Sequence, residues 1–201
     1  MVDEVGDVDE VRERLSAAYA LGTDEALGRW ATTGRAGVLL LREFLDGTWD
    51  PAPAPSVFPR DLVDNTSALV AAIAAAEPEA FLEVFDADRF RASGSVLVGL
   101  GTIDDPRATR RLAGAAGSTD QWVRMDVAIG LGRRESSIAS ATLAGLLNDR
   151  EFLVRHHALK SLARIGDASA LAALRAFEPF SAREAELADQ AIRSILERAG
   201  G

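Results

Sequence analysis

From residue 154 to residue 174 the chain reads VRHHALKSLARIGDASALAAL, with apolar residues at Val154, Ala158, Leu159, Leu162 and Ile165. That spacing of three and four places them on one stripe of a helix. Gly166 supplies a C-terminal stop, and Asp167 is placed to cap a following helix that carries Leu171 and Leu174. The pattern predicts a helical hairpin with one wet side, which cannot bury its apolar faces alone.

The same unit recurs upstream. Steps of 31 residues back from Leu162 reach Leu131, Leu100 and Leu69, and the same steps from Leu174 reach Leu143, Leu112 and Phe81. Val154 and Arg155 fall on Val123 and Arg124, Ala170 on Ala139 and Ala108, and Gly130 and Gly132 on Gly99 and Gly101. A period shared by two helices per unit is the mark of stacked repeats, in which neighbours supply the missing core.

Taken in order, the apolar spacing predicts a helix over 8–21, a second opened by Thr23-Asp24-Glu25, and a third over 38–45 between Gly34 and Gly47. Residues 1–46 read as a divergent N-terminal repeat or cap. Residues 47–60, GTWDPAPAPSVFPR, hold four of the seven prolines and read as an extended connector. Residues 61–180 then read as repeats. Helices are expected at 61–76 and 78–85, 89–102 and 106–116, 121–133 and 137–147, 152–165 and 168–177. Ser181-Ala-Arg-Glu184 is a capping box that opens a last helix to about residue 198, so 181–201 read as a terminal cap. The whole is expected to form one elongated unit.

DREFLVRHHALKSLARIGDASALAAL, residues 149–174, resembles a HEAT repeat of the short kind also found in phycobilin lyases, through Asp149, Val154, Arg155, Ala158, Leu162, Gly166 and Leu174. Residues 118–147 match with Ser118 in place of Asp149, and the 87–116 and 61–86 units lack the Val-Arg pair. The resemblance implies an all-α fold, a right-handed α-solenoid of antiparallel helical hairpins. It also implies that Arg124 and Arg155 stand in a ladder with carboxylates of neighbouring repeats, Asp149 and Asp120 being available, and that the second helix of each hairpin lines the concave face. HEAT arrays serve many ends, so the fold does not carry a function with it.

Charge narrows the partner. The 201 residues carry a net charge of −9, set by residues 1–100 with 18 acidic and 8 basic side chains, against 13 and 14 in residues 101–201. An acidic half disfavours nucleic acid, whose binding leans on positive surface, and suits a basic protein partner. The longest apolar run, 68–76, is far short of the ~20 residues that span a bilayer, and the start MVDEVGDVDE is acidic, so no membrane contact and a cytoplasmic location are expected. There is no Cys, which removes disulfides, thiol catalysis and thiolate metal sites.

Little else carries chemistry. His156 and His157 are the only histidines, and adjacent helical positions point ~100° apart, so the two cannot chelate one ion together. Asp104-Asp105 reads as a turn and cap pair, and Gly99-x-Gly101 follows a helix rather than a strand, unlike a nucleotide loop. No catalytic residue, metal or cofactor is assigned. Trp122 falls on Leu153 and is expected between repeats, while Trp49 and Phe58 are expected to pin the proline-rich segment.

The remaining candidate is a surface. If Leu112, Leu143 and Leu174 point inward, helical geometry turns Arg107 and Arg110, then Ile138, Ala141 and Gly145, then Ser169 and Ala172 outward, beyond an acidic edge at Glu79 and Glu83. The expected function is a non-enzymatic protein-binding or scaffold module that holds a partner on this face, with Arg107, Arg110, Ile138, Ala141 and Ala172 as contacts. The alternative is a lyase-like protein that encloses a chromophore or other small molecule.

Overall fold

The computed structural model describes residues 9–13, 33–48, 59–85 and 94–200, and all of its regular structure there is helical. The chain divides into two compact units, residues 1–91 and 92–201. This boundary falls within the 61–180 stretch that reads as repeats.

In the first unit, residues 9–13 are helical and are followed by α1 (Gly34–Leu45), α2 (Pro59–Ala76) and α3 (Pro78–Val84). Gly34 and Gly47 bracket α1 with positive φ, the backbone region that glycine enters without steric cost. α1 therefore begins four residues before the expected 38, at the glycine itself. α2 begins on Pro59, where a missing N–H costs nothing. The three helices pack on one another and bury Val38, Leu40, Leu41, Leu69, Ile73, Phe81 and Phe85. Arg35 forks onto both carboxylate oxygens of Glu83 at 2.6 and 2.9 Å, tying α1 to α3. The expected helices at 8–21 and 23–31 lie mostly, and Trp49 and Phe58 wholly, outside the described residues.

The second unit contains α4 (Gly94–Leu100), α5 (Pro106–Ala115), α6 (Gln121–Leu131), α7 (Ser137–Leu146) and α8 (Phe152–Ile165). A 3-10 turn (Ala168–Ala170) then runs into α9 (Leu171–Ala176), and α10 (Ala182–Gly200) closes the unit. α4, α6, α8 and α10 pack in series, and α5, α7 and the turn leading into α9 form a second layer against them. Asp105, Asp120, Ser136 and Asp167 each accept a backbone N–H from the first turn that follows. Such caps are worth ~1 kcal/mol each and set where each helix starts.

The leucine register lies in the core. Leu100, Leu131 and Leu162 in one layer, and Leu112, Leu143 and Leu174 in the other, are all essentially without solvent exposure. Each contributes roughly 1.5–3 kcal/mol of apolar burial. The glycines at the ends of α4 and α6 let the first layer close up: a Cβ on Gly101 would lie 2.8 Å from the Gly130 Cα, and one on Gly132 would overlap Ser161 Oγ. Among the described residues no helix is long and apolar enough to cross a membrane.

Candidate binding face

The cap at Asp105 sets the phase of α5. With Ala108, Thr109 and Leu112 buried, Arg107, Arg110 and Gly114 are turned to solvent. Asp105 accepts from Arg107 at the backbone N–H and through the guanidinium at 2.8 Å, and these bonds hold its carboxyl below the usual range. The charge of Arg110 also acts on the Asp105 carboxyl in the same sense.

α7 repeats the arrangement one unit on. Ala139, Ser140 and Leu143 are buried, and Ile138, Ala141 and Gly145 are exposed, with Ile138 at 40% of its free surface. In the next unit Ala170 and Leu174 are buried, and Ser169, Ala172, Arg175 and Ala176 are exposed. The second layer thus presents a face in which Arg107, Arg110, Ile138, Ala141 and Ala172 all point to solvent. Glu79 and Glu83 are exposed on α3, in the first unit.

A ladder of buried arginine pairs runs behind this face. Arg124 donates from Nε and Nη2 to Asp149 at 2.6 and 3.0 Å, and from Nη1 to the carbonyls of Ser118 and Thr119. Burial works against the Asp149 carboxylate, but the bonds from Arg124 and from the Glu151 N–H outweigh it and hold the carboxyl below the usual range. Arg155 makes the equivalent reach, donating to Glu184 at 2.8 Å and to the carbonyls of Asp149 and Arg150. The resemblance offers Asp149 and Asp120. The first takes Arg124, whereas Asp120 caps Trp122 and Glu184 takes Arg155. Both arginines are engaged within the fold.

A second set of arginines, to which the repeat spacing gives no pointer, binds backbone carbonyls. Arg134 donates to the Gly101 carbonyl at 2.6 Å, Arg164 to Gly132 at 2.6 Å and Arg198 to Gly166 at 2.8 Å. Each closes the open C-terminal carbonyls of a first-layer helix with a cation from the next unit, where cations are favoured. Arg164 and Arg198 also line a cavity of about 400 Å³ with Glu135, Ser136, Asp167 and Ile195. The backbone bonds engage both guanidinium groups there.

His156 and His157 sit with ring centroids 5.4 Å apart and ring planes perpendicular. Burial first, and then nearby cations, push both imidazoles below their ordinary range. Among the described residues no three His, Asp or Glu side chains group as a metal site.

Trp122 departs from expectation. It is 53% exposed rather than enclosed between units, because the second residue of α6 lies at the rim of the layer and not in its seam. Phe152 and Leu153 at the start of α8 are also exposed, and Phe180, ahead of α10, is 80% exposed. They mark an apolar rim along the N-terminal ends of the first-layer helices.

No family model matches the chain, and no curated protein matches it. Among solved structures it is similar to a crystal structure of an engineered protein, at 17% sequence identity over 98% of both chains with a TM-score of 0.44.

Proposed function

We propose that the second unit is a HEAT-like solenoid of antiparallel hairpins and that the protein is a non-enzymatic binding module. Its partner is a protein, held on the face made by α5, α7 and α9. The observation that carries this reading is the exposure of the register position held by Arg110, Ala141 and Ala172 in three successive second-layer helices. Arg107 and Arg110, Ile138 and Ala141, and Ala172 share a surface whose central side chains are small enough for another backbone to approach closely. The serial packing of the two layers and the arginine pairs at Arg124 and Arg155 support the HEAT-like part of the reading. Affinity would come from a few well-packed contacts such as Ile138 rather than from the whole face.

The test is affinity capture from native extract with mass spectrometry, using wild-type and Ile138→Asp/Ala141→Asp baits side by side. A protein retained by the wild type and lost by the double variant supports the face. Retention of the same protein by both baits places the contact elsewhere, and repeated capture of none counts against a protein partner.

A further inference from the structure

The second layer differs in charge from the rest of the chain. Its helical residues, 106–115, 137–146 and 168–176, contain four arginines (Arg107, Arg110, Arg111 and Arg175) and not one Asp or Glu. The full chain has 31 acidic residues against 22 basic ones, so the bodies of these helices are basic for this chain, although the carboxylates of Asp105 and Asp167 cap two of their starts. The arginines are also unevenly placed. Three stand on α5, one stands at the end of α9, and α7 between them carries no charged residue. Arg110 and Arg175 are exposed; the charge of Arg110 is felt by the Asp105 cap, and Arg175 forms no ion pair with a carboxylate among the described residues. Between them lie Ile138, Ala141, Gly145 and Ala172, all open to solvent.

We infer that the face takes an acidic protein segment, with carboxylates at its two ends meeting Arg110 and Arg175 and a short apolar middle lying on Ile138, Ala141 and Ala172. This rests on the proposed binding face and names the chemistry of what it binds. The sign is opposite to that expected from net charge, which is dominated by residues 1–100 and not by this layer. The geometry sets a length. Packed helices stand about 8–10 Å apart, so two steps from α5 to α9 span roughly 20 Å. A helical segment rises 1.5 Å per residue, which separates its two acidic groups by about 13 residues. Arg110 and Arg175 are exposed and screened by salt, so they select by sign and steer approach more than they add affinity.

The test uses two synthetic helical peptides of about 18 residues with the same Ala/Leu middle, one with paired Glu and the other with paired Lys about 13 residues apart. Binding is measured by calorimetry at about 50 mM salt. The Glu peptide is expected to bind the wild type, more weakly as salt rises, and the Lys peptide to bind at least about tenfold less tightly. In Arg110→Glu/Arg175→Glu that preference is expected to invert. A Glu peptide that binds no better than the Lys peptide, or a preference unchanged by the charge reversal, overturns the inference. Ala141→Trp separates this from the face itself, since it blocks the floor and leaves the arginines in place. Peptide binding abolished by Ala141→Trp but indifferent to charge reversal leaves the face standing and removes the acidic ligand. Binding indifferent to both removes the face as well.

Discussion

Arg155 Nε donates to Glu184 Oε1 at 2.8 Å, and the Glu184 side chain is wholly shielded from water. The same carboxylate accepts from the Phe180 N–H at 2.8 Å, while the Glu184 N–H donates to Ser181 Oγ. One residue therefore caps α10 and locks it to α8. Removing one member of a buried pair leaves the other charge uncompensated, so Glu184→Ala is expected to lower unfolding free energy by about 3–5 kcal/mol. Arg155→Met/Glu184→Leu, which removes both charges and keeps the volume, is expected to recover most of that loss. Urea denaturation of the three proteins checks this. Equal losses in the single and double variants would show that an uncompensated buried charge is not the source of the single variant's loss.

Asp126 works in the opposite sense. Burial first, and then the Asp120 charge, push its carboxyl up to about 6. The folded state therefore binds this proton more tightly than the unfolded chain does. The resulting penalty is absent below the unfolded value near 3.8, grows as pH rises to about 6 and is complete above that. The side chain keeps partial contact with water, so after screening Asp126→Asn is expected to stabilise by ~1 kcal/mol at pH 8 and to change little at pH 4. Thermal unfolding across that range measures it, and a gain independent of pH would contradict the assignment.

Asp149 and Asp167 are expected to contribute to acid sensitivity. Both are held below the usual range, Asp149 against burial by Arg124 and the Glu151 N–H, and Asp167 first by its bond from Ser169. Their contribution is fully present above the unfolded value near 3.8 and is lost as pH falls through the lower folded values. Stability is expected to decline below about pH 4, and Asp149→Asn is expected to blunt that decline while lowering stability at pH 7. A decline of unchanged depth in the variant would assign acid sensitivity elsewhere.

These sites were legible in the sequence to different degrees. The leucine register was open to reading because a 31-residue period repeats the same burial at Leu100, Leu131 and Leu162. The outward turn of Arg107, Ile138 and Ala172 follows from that register by helical geometry alone. Glu184 was recognised for one of its two roles, since a capping box has a local signature and a partner 29 residues away has none. Arg134, Arg164 and Arg198 bond to backbone carbonyls, which every residue has, so nothing in their spacing marks the target. The equivalence of Trp122 and Leu153 says only that the two share an environment, and both are exposed.

Phe180 offers a test of the apolar rim. The Arg155 guanidinium lies 4.5 Å from its ring centroid, so the ring covers a buried cation although most of its own surface is wet. Phe180→Ala is expected to cost ~1 kcal/mol through that contact, whereas Trp122→Ala, for which no such contact stands among the described residues, is expected to stay within about 0.5 kcal/mol. Equal losses in urea denaturation would mean that the cation contact contributes nothing.

Glycines separate the seam of the second unit from its open face. Gly101 meets the backbone of Gly130, and a Cβ there would stand 2.8 Å from the Gly130 Cα and 3.3 Å from its carbonyl oxygen. Backbone cannot swing aside as a side chain can, so α4 and α6 must move apart to admit a methyl group. Gly101→Ala is therefore expected to destabilise by about 1–3 kcal/mol. Gly145 lies near the end of α7 on the exposed face, and a Cβ there meets nothing within 4 Å. Its cost is the chain entropy lost on folding, so Gly145→Ala is expected to stabilise by ~0.5 kcal/mol. Thermal melts of the two variants read both signs in one experiment. A neutral Gly101→Ala would mean that the first-layer helices do not approach this closely in solution.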